Sequence, residues 1–258
     1  MYLLAFLFFW VAGSWLARHR DWWGWTPQDV GDFLFYAMIG VVVGGRLGYV
    51  FVYGLDALLA DPMFLFKITQ GGMSFHGGLV GVMLAMWWFG RRTGRTFWQV
   101  ADFAAPLVPI GLGLGRLGNF IGGELWGRLT DVPWAMIFAN SIQPGGWQSA
   151  ELEAAWRSGA LDQFARHPSQ LYQAAGEGLG LFILLAVYSR LPRPSAAVSG
   201  LFLAGYGCFR FVAEFFREPD AQIGYLAGGW LTMGMLLSLP MLVAGVIIMT
   251  IAYRRQGT

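Results

Sequence analysis

Apolar and polar positions alternate along this chain in long blocks rather than in short periods. Seven apolar runs cover about 1–17, 32–54, 71–90, 97–121, 170–189, 198–217 and 229–252. Each is close to the roughly 20 residues that cross a hydrocarbon layer about 30 Å thick. A backbone in lipid must satisfy its own N–H and C=O groups, so each run is expected to be a helix. The pattern therefore predicts an all-α polytopic membrane protein with seven transmembrane helices, in a single transmembrane domain over 1–258. Only one junction is long, about Gly122–Ser169. Its segment SAELEAAWRS predicts a short helix at Ser149–Ser158, so 122–169 reads as a small cap inserted between spans four and five. His167-Pro168-Ser169 ends the cap, with proline near the first turn of the next helix.

Charge adds an orientation. Only 12% of residues are charged and 56% are hydrophobic, against about 25% charged in a soluble domain. The junctions after spans one, three, five and seven hold Arg18 and Arg20; Arg91, Arg92 and Arg95; Arg190 and Arg193; and Arg254 and Arg255. Those nine, of 17 basic residues in all, fall on one side if there are seven spans. The other junctions are acidic or mixed, with Asp56, Asp61, Asp131, Glu151, Glu153, Asp162, Glu218 and Asp220. The positive-inside rule then puts the N-terminus and the cap outside, in the periplasm, and the C-terminus in the cytoplasm. Trp22-Trp23-Gly24-Trp25 reads as an interfacial aromatic belt. Met1–Ala17 lacks the basic start and small-x-small site of a signal peptide and is expected to be the first span.

Composition also removes some chemistry. The lone Cys208 rules out an internal disulfide and a cysteine metal site, and His19, His76 and His167 lack ligand spacing. No metal and no cofactor is expected. The arginines are sorted by junction rather than pooled, so no nucleic acid is expected either.

The polar residues inside apolar runs carry the functional reading, because a desolvated polar group costs several kcal/mol. Gly111–Arg128 (GLGLGRLGNFIGGELWGR) is the main case. Arg116 and Asn119 share a helix face near the outer end of span four, with Glu124 and Arg128 following. Snorkelling by Arg116 with a local pair to Glu124 would explain part of this, but not the asparagine. In span six Tyr206, Arg210 and Glu214 repeat at four-residue spacing, with Arg217 three further on. They form one polar stripe, either a self-satisfying ladder or the wall of a polar cavity. Arg46, in Gly44-Gly45-Arg46-Leu47-Gly48, echoes Arg116. His76 sits among glycines at the start of span three, open to a ligand or to a neighbouring backbone. Asp102 fits a structural ion pair. Arginine binds phosphate bidentately and stays charged. Arg46, Arg116, Arg210 and Arg217, offset by only Glu124 and Glu214, therefore point to a phospholipid headgroup, with the reaction left open.

Glycine spacing is the other regularity. Gly40/Gly44/Gly48, Gly111/Gly115 and Gly176/Gly180 place small residues on one face and predict close helix approach. Gly113-x-Gly115-x-x-Gly118 matches a dinucleotide fingerprint, but no strand or βαβ unit surrounds it.

Gly115–Arg128 resembles the signature of the prolipoprotein diacylglyceryl transferases. GGRLGYVFVY (Gly44–Tyr53), GGMSFHGGLVG (Gly71–Gly81), HPSQLYQA (His167–Ala174) and GYGCFRFVAEFFREPD (Gly205–Asp220) extend the likeness over nearly the whole chain. The resemblance implies transfer of a diacylglyceryl group from phosphatidylglycerol to the lipobox cysteine of a preprolipoprotein, with release of glycerol phosphate, in the bacterial inner membrane. It implies seven spans with a periplasmic N-terminus, as the arginines do. Arg116 corresponds to the family's phosphatidylglycerol-binding arginine. His76, Asn119, Glu124, Gly127, Tyr206 and Arg210 match further positions important there. Arg116 and Arg210 would stabilise the leaving phosphate, and His76 is a candidate base for the thiol. Family members carry an Arg-Trp-Tyr-Gly-like segment with a functional tyrosine ahead of the first span. This chain starts within that span, so Tyr2 is not expected to replace it, and a late start or a truncation is expected. A transporter or flippase for an anionic lipid would use the same arginines but should show internal repeats or broken helices in matching halves. A non-catalytic lipid scaffold would show no turnover.

Overall fold

The computed structural model describes residues 2–67, 71–142, 149–219 and 224–256. Among them the protein is helical, with isolated bridges in place of strands. Three helices are long and apolar enough to cross a membrane: Pro27–Tyr53, Ser169–Tyr188 and Met233–Gln256. A fourth crossing is possible if Phe97–Ala104 and Val108–Ile121 count as one broken span, and Leu3–His19 and Ala197–Ala213 are shorter apolar helices. The chain divides into two compact units, Phe6–Ala104 and Met1–Ala5 with Ala105–Thr258.

The first unit is built on α1 (Tyr2–His19), α2 (Pro27–Tyr53), the short α3 (Leu55–Ala60), α4 (Phe75–Thr93) and α5 (Phe97–Ala104). Helix α2 starts five residues before its apolar run because Thr26 and Asp29 form a reciprocal capping box with Pro27 in the first turn. Arg95 reinforces that start by bonding the Asp29 carboxylate at 2.9 Å and the Gly24 carbonyl at 2.5 Å. Trp25 belongs to the core rather than to an aromatic belt. It is buried, stacks on Phe103 at 3.9 Å and meets Phe33 and Phe89. Trp22 alone keeps the exposure expected of the belt.

Helices α2 and α4 meet backbone to backbone, as the four-residue glycine spacing predicts. A Cβ on Gly40 would stand 2.5 Å from the Gly81 carbonyl oxygen, and one on Gly48 would stand 2.7 Å from the Gly77 Cα. Neither site has room for a side chain. Backbone dispersion and Cα–H···O contacts replace the hydrophobic driving force that lipid cannot supply.

The second unit holds α6 (Val108–Ile121), α7 (Ser149–Arg157) in the cap, α8 (Ser169–Gln173), a π-helical stretch Ala174–Gly180, α9 (Leu181–Tyr188), α10 (Ala197–Ala213) and α11 (Met233–Gln256). The expected continuous span 97–121 is interrupted at 105–107. Pro106 has no N–H to donate, and its ring drives the preceding residue out of helical geometry. Helix α10 ends at Ala213, so Glu214 caps it and Arg217 lies beyond it rather than on its face. Helix α7 falls where the sequence pattern puts it.

The chain from 126 to 130 is laced to its surroundings by antiparallel bridges, Gly127 to Arg217 and Leu129 to Arg166. Arg128 donates to the carbonyls of Arg217 at 3.0 Å and Glu214 at 3.2 Å, which satisfies the orphan end of α10. The His167 ring packs on Tyr172 and Phe216, with Nδ1 3.2 Å from the Tyr172 hydroxyl.

Replacing Gly81 by Val is expected to cost about 2 kcal/mol or more, because the Gly40 carbonyl must move. Gly31→Ala meets nothing within 4 Å and should leave the thermal midpoint unchanged or higher. Equal midpoints for the two variants would refute the glycine contact. A second expectation concerns pH. Burial, and then the Arg128 charge, hold the His167 imidazole below its ordinary pKa. The unfolded chain therefore takes up the proton first. Stability is complete above about pH 6.5 and is lost as pH falls through that value. The thermal midpoint should drop between pH 7.5 and 5.5, and His167→Asn should reduce that drop.

Candidate active site

Arg116 lies one turn beyond Gly113 in α6, and the packing of Gly113 decides where that arginine goes. A Cβ on Gly178 would stand 2.7 Å from the Gly113 Cα, so α6 and the π-helical stretch touch through bare backbone. Gly111 meets only the Ala5 Cβ, and Gly115 faces open space. The packing contact in this helix therefore lies at Gly113, between the two glycines that spacing singles out. The close approach brings Arg116 Nη2 to 3.4 Å from Oε2 of Glu177, the residue before Gly178.

Glu177 is fully buried. Arg210 Nη1 approaches its other oxygen at 3.5 Å, and Arg210 Nη2 pairs with Glu214 at 2.5 Å. Glu214 also holds Arg217 at 3.2 Å and accepts from the Thr232 hydroxyl at 2.8 Å. The result is an unbroken chain, Arg116–Glu177–Arg210–Glu214–Arg217. Guanidiniums and carboxylates alternate along it. A fully buried carboxylate without a cation would cost several kcal/mol, so Glu177 fixes both of its arginines in place. Tyr206 joins the cluster beside Glu177, Arg210 and Arg116.

The signature turn after α6 supports this cluster. Gly123 and Leu125 have positive φ, 62° and 55°. For leucine that conformation is strained by about 1–2 kcal/mol. The turn is held by Ser169, which donates to the Leu125 carbonyl at 3.3 Å, and by Gln170, which donates to the Glu124 carbonyl at 2.7 Å. Asn140 donates to the carbonyls of Gly122 and Gly123. Gly127 is wedged so closely between His167 and Phe216 that a Cβ would collide with their backbones. Asn119 is half-buried one turn after Arg116, and its carbonyl accepts from the Glu124 N–H at 2.9 Å. The Glu124 side chain is exposed, and among the described residues the ion partner of Arg116 is Glu177, not Glu124.

In the other unit Arg46 is buried and spends four of its five N–H groups on backbone carbonyls. It donates to Leu65 at 3.0 Å, Gly71 at 2.8 Å and Gly72 at 3.1 Å, and also to Phe64. That is the work of a loop clamp. His76 is exposed in the first turn of α4, behind the Ser74 cap. It lines an apolar groove of about 650 Å³ floored by Gly40, Gly44, Gly48, Gly77 and Gly81.

Sequence reasoning missed Glu177, Gln170 and Gln173. Their signal was present: positions 170, 173 and 177 are spaced three and four apart within an apolar run, so they share one face. The same logic singled out 206, 210 and 214.

The chain is similar to known proteins over nearly its whole length. The family model described as prolipoprotein diacylglyceryl transferase matches residues 1–251. The chain is 52% identical over 260 residues to the phosphatidylglycerol–prolipoprotein diacylglyceryl transferase of Pseudomonas syringae pv. syringae (strain B728a), covering 99% of this chain and 88% of that protein. For the enzyme so named from Pseudomonas aeruginosa (strain LESB58) the figures are 52% over 261 residues, 100% and 89%. For that from Ectopseudomonas mendocina (strain ymp) they are 53% over 247 residues, 96% and 85%. With its signature turn, its arginine cluster and a match over nearly its whole length, the chain belongs to the prolipoprotein diacylglyceryl transferase family.

Proposed function

We propose that the protein transfers the diacylglyceryl group of phosphatidylglycerol to the lipobox cysteine thiol of preprolipoproteins and releases glycerol phosphate. The observation that carries this reading is the pair of guanidiniums, Arg116 and Arg210, brought from two helices onto the buried Glu177 carboxylate. Two converging guanidiniums suit a phosphodiester, the anion of a phospholipid headgroup.

The thiolate sulfur attacks the glyceryl carbon that bears the phosphate ester. The C–S bond forms, the C–O bond breaks, and its electron pair leaves on the phosphate. The leaving group therefore gains negative charge as the bond breaks. Arg116 and Arg210 stand where that charge builds, already oriented by Glu177, and stabilise it as an oxyanion hole does. Tyr206 lies beside both arginines and completes the polar wall. Asn119 and Glu124 position the turn and the last helical turn that carry Arg116, and Gly127 lets that turn pack. Glu214 and Arg217 complete the phosphate-binding side. His76 is the sequence-based candidate base for the thiol proton. It ranks below the arginines because a thiol of pKa about 8.5 ionises readily in a cationic field. No cofactor or metal enters the steps above.

Seven spans with a periplasmic N-terminus, placement in the bacterial inner membrane and an active site toward the periplasmic half belong to the same reading. The distribution of the nine junction arginines supports them. A single transmembrane domain with a periplasmic cap over 122–169 accords with it.

The test is release of glycerol phosphate from phosphatidylglycerol on incubation with a lipobox peptide. Arg116→Ala and Arg210→Ala should each lower kcat/KM about 10²- to 10³-fold. Arg116→Lys should recover part of the loss, since lysine supplies charge without the fork. Near-normal transfer by both alanine variants would overturn the assignment. Lipid binding without release by the wild-type protein would favour a transporter.

A further inference from the structure

Gln170 and Gln173 are buried more completely than the arginines they adjoin, at 0% and 1% exposed. Each uses one end of its amide. Gln170 Nε2 donates to the Glu124 carbonyl at 2.7 Å, and Gln173 Oε1 accepts from Arg210 Nη1 at 2.8 Å. Those partners fix the orientation of both amides, because a carbonyl only accepts and a guanidinium only donates. Gln170 is left presenting Oε1 and Gln173 presenting Nε2, and neither atom has a hydrogen-bond partner. The residues are three apart in α8 and share a face. An orphan acceptor and an orphan donor therefore belong to one helix face, each costing about 1–3 kcal/mol while unpaired.

A group that satisfies both must donate and accept. A phosphate oxygen only accepts, and an ammonium only donates. A hydroxyl does both. Gln173 is bonded to Arg210, the guanidinium proposed above for the phosphate, so its free amide end adjoins that proposed site. The headgroup glycerol of phosphatidylglycerol carries its hydroxyls on the carbons two and three bonds beyond the phosphate oxygen. We infer that Gln170 and Gln173 read those hydroxyls, Gln173 donating to one and Gln170 accepting from one, and so determine which phospholipid the enzyme accepts. This inference rests on the transferase reading above.

The experiment compares phosphatidylglycerol with phosphatidylethanol, which keeps the phosphodiester charge and lacks headgroup hydroxyls. Transfer to a lipobox peptide is measured with each lipid on the full-length protein. The wild type should prefer phosphatidylglycerol about 10- to 100-fold in kcat/KM, because the hydroxyl-free lipid leaves both amides unpaired. Gln170→Leu and Gln173→Leu should lower phosphatidylglycerol turnover more than phosphatidylethanol turnover, shrinking the preference to about threefold or less. A preference that survives intact in folded variants overturns the inference. Variants that do not fold lose both activities together, and the wild-type ratio then decides: equal turnover of the two lipids overturns it. If phosphatidylglycerol yields no glycerol phosphate at all, the transferase reading fails. In that case the same ratio taken from equilibrium lipid binding decides the inference by the same criterion.

Discussion

The Glu177 carboxylate has no exposed surface and sits in an apolar run, where a lone charge is among the most expensive things a protein can bury. It lies within ion-pair distance of two arginines from different helices, Arg116 in α6 and Arg210 in α10. Neither arginine could be held in a desolvated site without an anion, and the anion could not be there without them. The chain continues through Glu214 to Arg217. Two guanidiniums fixed on one buried carboxylate are what a phosphodiester can engage.

Glycine makes the arrangement geometrically possible. At Gly113 and Gly178 two helices touch without side chains, which sets the distance from Arg116 to Glu177. At Gly127 the absence of a side chain lets the signature turn thread between His167 and Phe216. The same device joins α2 to α4 in the other unit and α10 to α11 in this one, where a Cβ on Gly200 would meet Met249 and the Gly245 carbonyl. In lipid, small residues are the main route to tight helix contact, so glycine content and active-site precision are linked here.

Much of this was legible in the sequence. Block hydropathy located the helices, and the residues that contradicted it, Arg116, Tyr206, Arg210 and Glu214, fall in one cluster. The helix interruption at 105–107 could have been read from Pro106, but a long apolar run masked it. Glu177 was hidden for a different reason. A single acid in an apolar span draws less notice than an arginine, and its partners lie 61 and 33 positions away along the chain. Only the fold brings them together. Arg46 shows the opposite limit. Its sequence context repeats that of Arg116, yet its donors go to carbonyls at 64, 65, 71 and 72. Local sequence reveals that a buried arginine needs acceptors and leaves open whether those acceptors are substrate or backbone.

Glu177 aims Arg116 and Arg210, and those two guanidiniums bind the lipid phosphate. Steady-state kinetics of Glu177→Gln separate the two roles. In that variant kcat should fall about tenfold or more as the guanidiniums lose their fixed orientation. KM for phosphatidylglycerol should not rise, because the variant gains positive charge. An unchanged kcat, or a KM that rises as it would on losing Arg116, would contradict it.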